Sequence, residues 1–285
     1  MQLNSDEPSR PRPTNDNGTP TLPMRFGDDL LMALRFYSRL PTGSTAHQRP
    51  DLDRIAIVLP LASFAIGLVP VAVLILLEWV GVPTFFAAAI AVGVLVLVTG
   101  AMSEDALADA ADGLFGGNTI ERRLEIMKDS RHGTYAVCAL TLFLILRVVA
   151  VGSISAPFEA AALLLTAPLI ARSGALWLTH ALPAARSGGA AAAAGKVSPR
   201  NFVIGMAITV IVSFATAGFA VGILGLLLAY ALCAVVIVGW VVLCRRLVGG
   251  QTGDLIGALQ ALLEIAALSA FMVFVYETIA CCLSG

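Results

Sequence analysis

Asp105, Asp109 and Asp112 recur at spacings of four and three within SEDALADAADGLFGG. On a helix turning ~100° per residue, Asp109 lies ~40° to one side of Asp105 and Asp112 ~20° to the other, so the three share one stripe. Like charges on one stripe repel one another unless a cation stands among them. Their hard oxygen donors suit a divalent cation such as Mg2+. Glu104 lies ~100° off the stripe, where it faces solvent or supports the cluster from the side. The metal candidates are therefore Asp105, Asp109, Asp112 and, from the flank, Glu104.

Beyond Gly113 the glycine pair Gly116-Gly117 breaks the helix. Asn118 can cap the next one, with Glu121 at the capping-box position. Ile120, Leu124 and Met127 give that helix one apolar face, so it can lie along a membrane surface and deliver Asp129, Arg131 and His132 back toward the bilayer just before the next apolar run. A carboxylate cluster followed by a cationic return is what phosphoryl transfer needs. A metal neutralises phosphate oxygens, arginine contacts them bidentately, and a carboxylate or histidine takes the attacking hydroxyl's proton. Asp129, Arg131, Asp112 and His132 are thus the catalytic candidates. A charge run is more often a solvated loop, and one loop histidine is more often a surface residue. The three acids on one stripe beside an apolar run favour chemistry here.

A second polar constellation is GGQTGD, Gly249 to Asp254. Gly249 and Gly250 let backbone N–H groups approach an anion closely, and Thr252 and Asp254 join them as substrate-binding candidates. Asp254 opens an apolar run, and the simpler structural role for it is a helix N-cap. Arg39, in FYSRLP, either contacts lipid headgroups or reaches the same site, and both remain open. Arg131 completes the substrate-binding set. Three charges fall inside apolar runs: Arg147, Arg172 and Glu264. Such charges pair or line a cavity. Similar depth makes Arg172 the expected partner of Glu264, leaving Arg147 to snorkel outward.

The elements that must position these groups follow from composition. Of 285 residues, 58% are hydrophobic and 13% charged, about half the charged share of soluble proteins. Mean hydropathy is +0.87. Recurrent long apolar runs define an all-α, polytopic helical membrane protein set in the lipid bilayer, with about seven transmembrane helices and short surface helices. The expected spans are 55–80, 84–102, 133–152, 158–182, 202–223, 226–244 and 255–282. Residues 1–24 are expected to be disordered, being rich in Pro, Asn, Asp and Ser. Residues 25–285 form one membrane domain that opens with a surface helix near Asp28–Tyr37. The net charge of −1 leaves no nucleic-acid footprint. The five cysteines form no Cys-x-x-Cys pair and read as small apolar fillers.

With the N-terminus inside, the outer turns GVPT, GSISAPF and Leu224-Gly225 carry no Lys or Arg. The acidic stretch, the Ala/Gly loop near 186–195 and GGQTGD all fall on the inner, basic side. A polar site on the cytoplasmic face of the membrane is therefore expected. No internal repeat suggests an inverted-repeat transporter. A homo-oligomeric assembly is compatible with the chain.

FYSRLP at 36–41, EDALADAADG at 104–113, ERRLEIMKDSRHGTYA at 121–136 and GGQTGDLIGA at 249–258 together resemble the cobalamin synthase family. The pieces lie in the family's order from the entry helix to the last span, and the central block is the most specific. The resemblance implies joining of α-ribazole, or its 5′-phosphate, to adenosylcobinamide-GDP with release of GMP and a requirement for Mg2+. It implies that Asp105, Asp109 and Asp112 hold the cation against the pyrophosphate. Asp129 and Arg131 would complete the site, Arg131 on a phosphate oxygen, with Asp254 as a further candidate.

Other membrane transferases of diphosphate substrates fit less well. CDP-alcohol phosphotransferases expect Ala-Arg after their Asp-Gly, where this chain has Leu114-Phe115. Prenyltransferases typically carry a second aspartate-rich motif, and DSRHG is not one. A cation transporter using Glu264 and Arg172 is the rival of another class. The clustering of acids on one face argues against it.

Overall fold

The structure, a computed structural model, describes residues 26–43, 50–129, 131–186 and 195–283, with side chains through Val275. The expected N-terminal tail and most of the Ala/Gly loop lie outside the described residues. Among the described residues the chain forms ten helices and no strand. They are α1 (Phe26–Tyr37), α2 (Leu52–Trp79), α3 (Thr84–Thr99), α4 (Met102–Gly116), α5 (Ile120–Ile126), α6 (Thr134–Gly152), α7 (Pro157–Ala175), α8 (Trp177–Ala181), α9 (Pro199–Leu247) and α10 (Gly253–Leu283).

Five stretches, α2, α6, α7 with α8, α9 and α10, are long and apolar enough to cross a membrane. There are six if the bent pair α3–α4 counts as one span. Helices dominate because lipid offers no hydrogen-bond partner, so each segment must satisfy its own backbone. The 49 residues of α9 would measure ~74 Å as one rod, far more than a bilayer's ~30 Å apolar thickness. The run folds back at Gly222, whose φ of 63° and ψ of −178° are not helical. The Ser213 hydroxyl consequently lies 3.1 Å from the Tyr230 hydroxyl, two residues that a straight helix would hold ~25 Å apart. Seven passes are reached only by counting the two arms of α9 separately.

Helix α7 occupies the centre. Of its most apolar window 94% is buried, against 28% for α9 and 33% for α6, which turn their apolar sides outward. Small residues such as Ala160, Ala167, Ala171 and Gly174 line α7 and let neighbouring backbones come close, the usual basis of helix packing in lipid. Helix α1 is more than a surface helix. Met32, Ala33 and Tyr37 pack with α2 residues Ile55, Val58 and Leu59 in one buried cluster. The fully buried Asp29 is ion-paired with Arg54.

The span expected to run to Met102 instead ends at Thr99. Gly100 and Ala101 both take left-handed backbone conformations, φ 65° and 56°. At Ala101 this costs on the order of 1 kcal/mol, since it lacks glycine's freedom. Across this corner α4 leaves α3 at 86°. Strain of this kind persists only where surrounding packing fixes it. The packing here is a close crossing of α4 over α10, where a Cβ placed on Gly257 would overlap the Cβ of Ala106. Gly257→Ala is expected to force the two helices apart and cost ~1–3 kcal/mol, seen as a lower thermal midpoint of the detergent-solubilised protein. An unchanged midpoint would show the crossing to be loose.

Candidate active site

The corner decides where the acids of α4 go. Glu104, expected at the flank of the stripe, is 4% exposed and lies inside the bundle. One carboxylate oxygen is ion-paired with Arg147 and the other accepts from Ser103 Oγ at 3.1 Å. Arg147 also clamps Glu264 bidentately, Nε to Oε1 and Nη2 to Oε2 both at 2.7 Å. The expected Arg172–Glu264 pair is therefore corrected to Arg147–Glu264, and Arg147 does not snorkel. The depth comparison failed because α4 returns into the bundle and brings a second carboxylate to Arg147. Arg172 remains buried nearby, with Nη1 lacking a hydrogen-bond partner among the described residues.

One turn further along, the stripe divides. Both oxygens of Asp112 accept backbone N–H groups at the start of α6, from Gly133 and, at 3.0 Å, from Ala136. Gly133 has no side chain with which to cap α6, so Asp112 does so from α4. Asp105 and Asp109 remain available. Asp105 is exposed and Asp109 half-buried, its side chain 18% exposed. The carboxylates of Asp105 and Asp254 both act on Asp109 through space, Asp112 acts on it least, and His132 opposes them. His132 Nδ1 lies 3.9 Å from Asp109 Oδ1.

Asp254 is not the cap of α10, because that role belongs to Thr252. The Thr252 hydroxyl accepts from Leu255 N at 3.2 Å and donates to Asp254 Oδ2 at 3.3 Å. The structure thus places Asp105, Asp254 and His132 within electrostatic reach of Asp109, with His132 in the closest contact. It adds Arg186, whose Nη2 is 3.6 Å from Asp254 Oδ2. The sequence offered no signal for Arg186 beyond its charge.

Asp129 and Arg131 form a separate unit. Arg131 donates from Nε and Nη2 to the two oxygens of Asp129 at 3.0 and 2.7 Å, and its side chain is 87% exposed. The guanidinium hydrogen bonds hold the Asp129 carboxyl at about 2, below the usual carboxylate range. Among the described residues no hydrogen bond or ion pair joins either group to Asp105, Asp109 or Asp254. Arg39 donates its backbone N–H to Val98 O at 2.7 Å, and its side chain lies over Gly100 at the α3–α4 corner. Gly249 has a φ of 76°, and Gly250 is buried against Pro183 and Ala185.

Helix α5 is capped by Thr119, which accepts from Arg122 N at 3.2 Å, one residue later than the expected Asn118 cap. Met127 packs beneath α4 at Gly113, so α5 folds back against α4. Arg123 ties the assembly, donating to Leu114 O at 3.2 Å and Leu247 O at 3.0 Å. It thereby satisfies carbonyls at the ends of α4 and α9.

The donor set suits a hard cation, being all carboxylate oxygen. Among the described residues no three His, Cys, Asp or Glu side chains are drawn tightly enough to hold an ion by themselves. Mg2+ fits that arrangement, since it is commonly held by one or two carboxylates, with substrate phosphates and water completing its shell.

Residues 29–272 match the family described as cobalamin-5-phosphate synthase, CobS. The chain belongs to the cobalamin-5-phosphate synthase family. Among its relatives, the adenosylcobinamide-GDP ribazoletransferase of Azorhizobium caulinodans is 42% identical over 256 residues, covering 86% of this chain and 96% of that protein. The protein of the same name from a Sinorhizobium species is 40% identical over 254 residues, covering 86% and 96%. That of Brucella ovis is 38% identical over 248 residues, covering 84% and 94%. No solved structure matches the chain. In this member of the cobalamin-5-phosphate synthase family, the acidic block and GGQTGD meet at one end of the bundle, where α6 and α10 begin.

Proposed function

We propose that the chain joins α-ribazole, or its 5′-phosphate, to adenosylcobinamide-GDP, forming adenosylcobalamin or its 5′-phosphate and releasing GMP. The observation that carries this is His132 Nδ1 at 3.9 Å from Asp109, within electrostatic reach of Asp105 and Asp254, in a chain similar over most of its length to transferases of that name. In the reaction a ribose hydroxyl that does not carry the 5′-phosphate attacks the phosphorus bonded to cobinamide. A new O–P bond forms, the bridging P–O bond breaks, and its electron pair leaves on GMP.

One or two of the carboxylates of Asp105, Asp109 and Asp254, together with substrate phosphates, would hold Mg2+. When bound, the ion would offset charge on the diphosphate and on the departing GMP. His132 takes the hydroxyl proton: with Nδ1–H facing Asp109, Nε2 is left as the acceptor. Asp112 keeps α4 docked on α6 and so holds Asp109 and His132 within reach of each other. Asp129 and Arg131, exposed and paired with each other, contribute to substrate binding rather than to proton transfer.

The distribution of Lys and Arg supports a cytoplasmic active face in the bacterial inner membrane. A cation pathway is disfavoured because Glu264 and Arg147 hold each other in a closed bidentate pair. The test is reconstitution of the protein with adenosylcobinamide-GDP, α-ribazole and Mg2+. GMP should appear in step with the corrinoid product, stop when the metal is chelated, and resume when it is restored. Absence of GMP under these conditions would overturn the assignment, and GMP release indifferent to chelation would overturn the metal's part in it.

A further inference from the structure

A diphosphate needs a cationic hydrogen-bond donor, and most arginines around the site are already engaged. Arg131 holds Asp129, Arg123 holds two helix-end carbonyls, and Arg147 holds Glu104 and Glu264. Arg186 differs. Its side chain is 19% exposed, and Nε and Nη2 are sealed from solvent without an acceptor among the described residues. The 3.6 Å separation from Asp254 is too long for a hydrogen bond. Nε and Nη2 form the side-on edge of the guanidinium, which matches two oxygens of one phosphate.

Backbone pairing fixes where this edge lies. Ala185 N donates to Gln251 O at 2.9 Å, and Gln251 N donates to Pro183 O at 2.8 Å. Gly250 permits that approach, since a Cβ there would fall 2.6 Å from Pro183 O and 2.9 Å from Ala185 Cα. The glycine expected to admit an anion thus admits the strand-like segment 183–185 instead. That segment sets Arg186 beside Asp254, which itself feels Asp105. A guanidinium and a carboxylate from different elements therefore face each other, with Asp105 within electrostatic reach of the carboxylate.

We infer that Arg186 binds the diphosphate of the nucleotide-bearing substrate through Nε and Nη2, and that Gly250 is the positioning residue that lets it do so. The assignment rests on the transferase activity proposed above and names the group that recognises its diphosphate.

The experiment measures steady-state GMP formation by purified full-length protein, varying adenosylcobinamide-GDP and α-ribazole separately, for wild type, Arg186→Gln, Arg186→Lys and Gly250→Ala. Direct titration with GDP in the presence of Mg2+ accompanies it. Arg186→Gln should raise KM for adenosylcobinamide-GDP about tenfold or more and weaken GDP binding in parallel, with KM for α-ribazole unchanged. Lysine should recover only part of the loss, because it offers a point charge without the two-pronged edge. Gly250→Ala, which keeps the guanidinium but displaces it, should reproduce the KM shift. If wild type forms GMP and Arg186→Gln keeps wild-type affinity for GDP and KM for the diphosphate substrate, the inference is wrong. A fall in kcat alone, or an equal rise in both KM values, would likewise overturn it and make Arg186 a partner of Asp254 only. Failure of wild type to form GMP would count against the activity itself. GDP titration of Gly250→Ala decides the point if Arg186→Gln does not fold.

Discussion

Arg147→Met is expected to destabilise the protein by on the order of 3–5 kcal/mol, as removal of one member of a buried ion network generally does. Arg147 is 3% exposed, Glu104 4% and Glu264 1%. Its guanidinium also stacks over the Phe143 ring, 4.2 Å from the centroid. Without the arginine, two carboxylates face one another in a low-dielectric interior with no cation directly between them. Arg172 stands near but is not hydrogen-bonded to either. The damage should extend beyond stability, because Glu104 belongs to α4, Glu264 to α10 and Arg147 to α6. The clamp therefore sets the offset of the helices that carry Asp109 and Asp254. The check is the thermal midpoint in detergent, where a fall of several degrees is expected. The triple variant Arg147→Met, Glu104→Gln, Glu264→Gln should recover much of it, because replacing a whole buried network is far milder than orphaning its charges. An Arg147→Met protein as stable as wild type would show that the three groups do not depend on one another.

Asp109→Asn should have the opposite profile, with GMP formation reduced on the order of 10²–10³-fold and stability unchanged or slightly raised. Among the described residues the Asp109 side chain makes no hydrogen bond and has only the long 3.9 Å contact with His132. It lies in the field of Asp105, Asp254 and Asp112, so removing its charge relieves repulsion in the ligand-free protein. A side chain that the fold would be better without, placed where three elements meet, is what a site held apart for a ligand looks like. The measurements are GMP release at saturating Mg2+ and the thermal midpoint of the same preparation. Undiminished GMP release would remove Asp109 from the chemistry.

Asp112 and Asp254 show how far local pattern reaches. Both satisfy the same sequence logic, an acid beside a helix end. Asp254 read most simply as a cap and Asp112 as a metal ligand. The structure nearly reverses them: Thr252 caps α10 in place of Asp254, which faces Arg186, while Asp112 caps α6 from another helix. Thr252 lay within reach of sequence reasoning, since a threonine just ahead of the first helical turn is a strong N-cap. The Asp112 contact was not, because its partners lie 21 and 24 residues away across a glycine break. Arg186 was hidden for the same reason, its placement depending on a two-bond pairing with Gln251.

Hydropathy is local and additive along the chain, and lipid forces each apolar run to close its own hydrogen bonds. The residues alone therefore determined the helical membrane architecture, the approximate bounds of most spans and the presence of an acidic stripe at one end. Which charges meet is a matter of axial offset between helices and of the 86° corner at Gly100-Ala101. Both arise from packing between segments far apart in sequence. Only the tertiary structure could assign Glu104 to Arg147 and leave Asp109 outside that network, because a shift of one helical turn, ~5.4 Å, exchanges one partner for another.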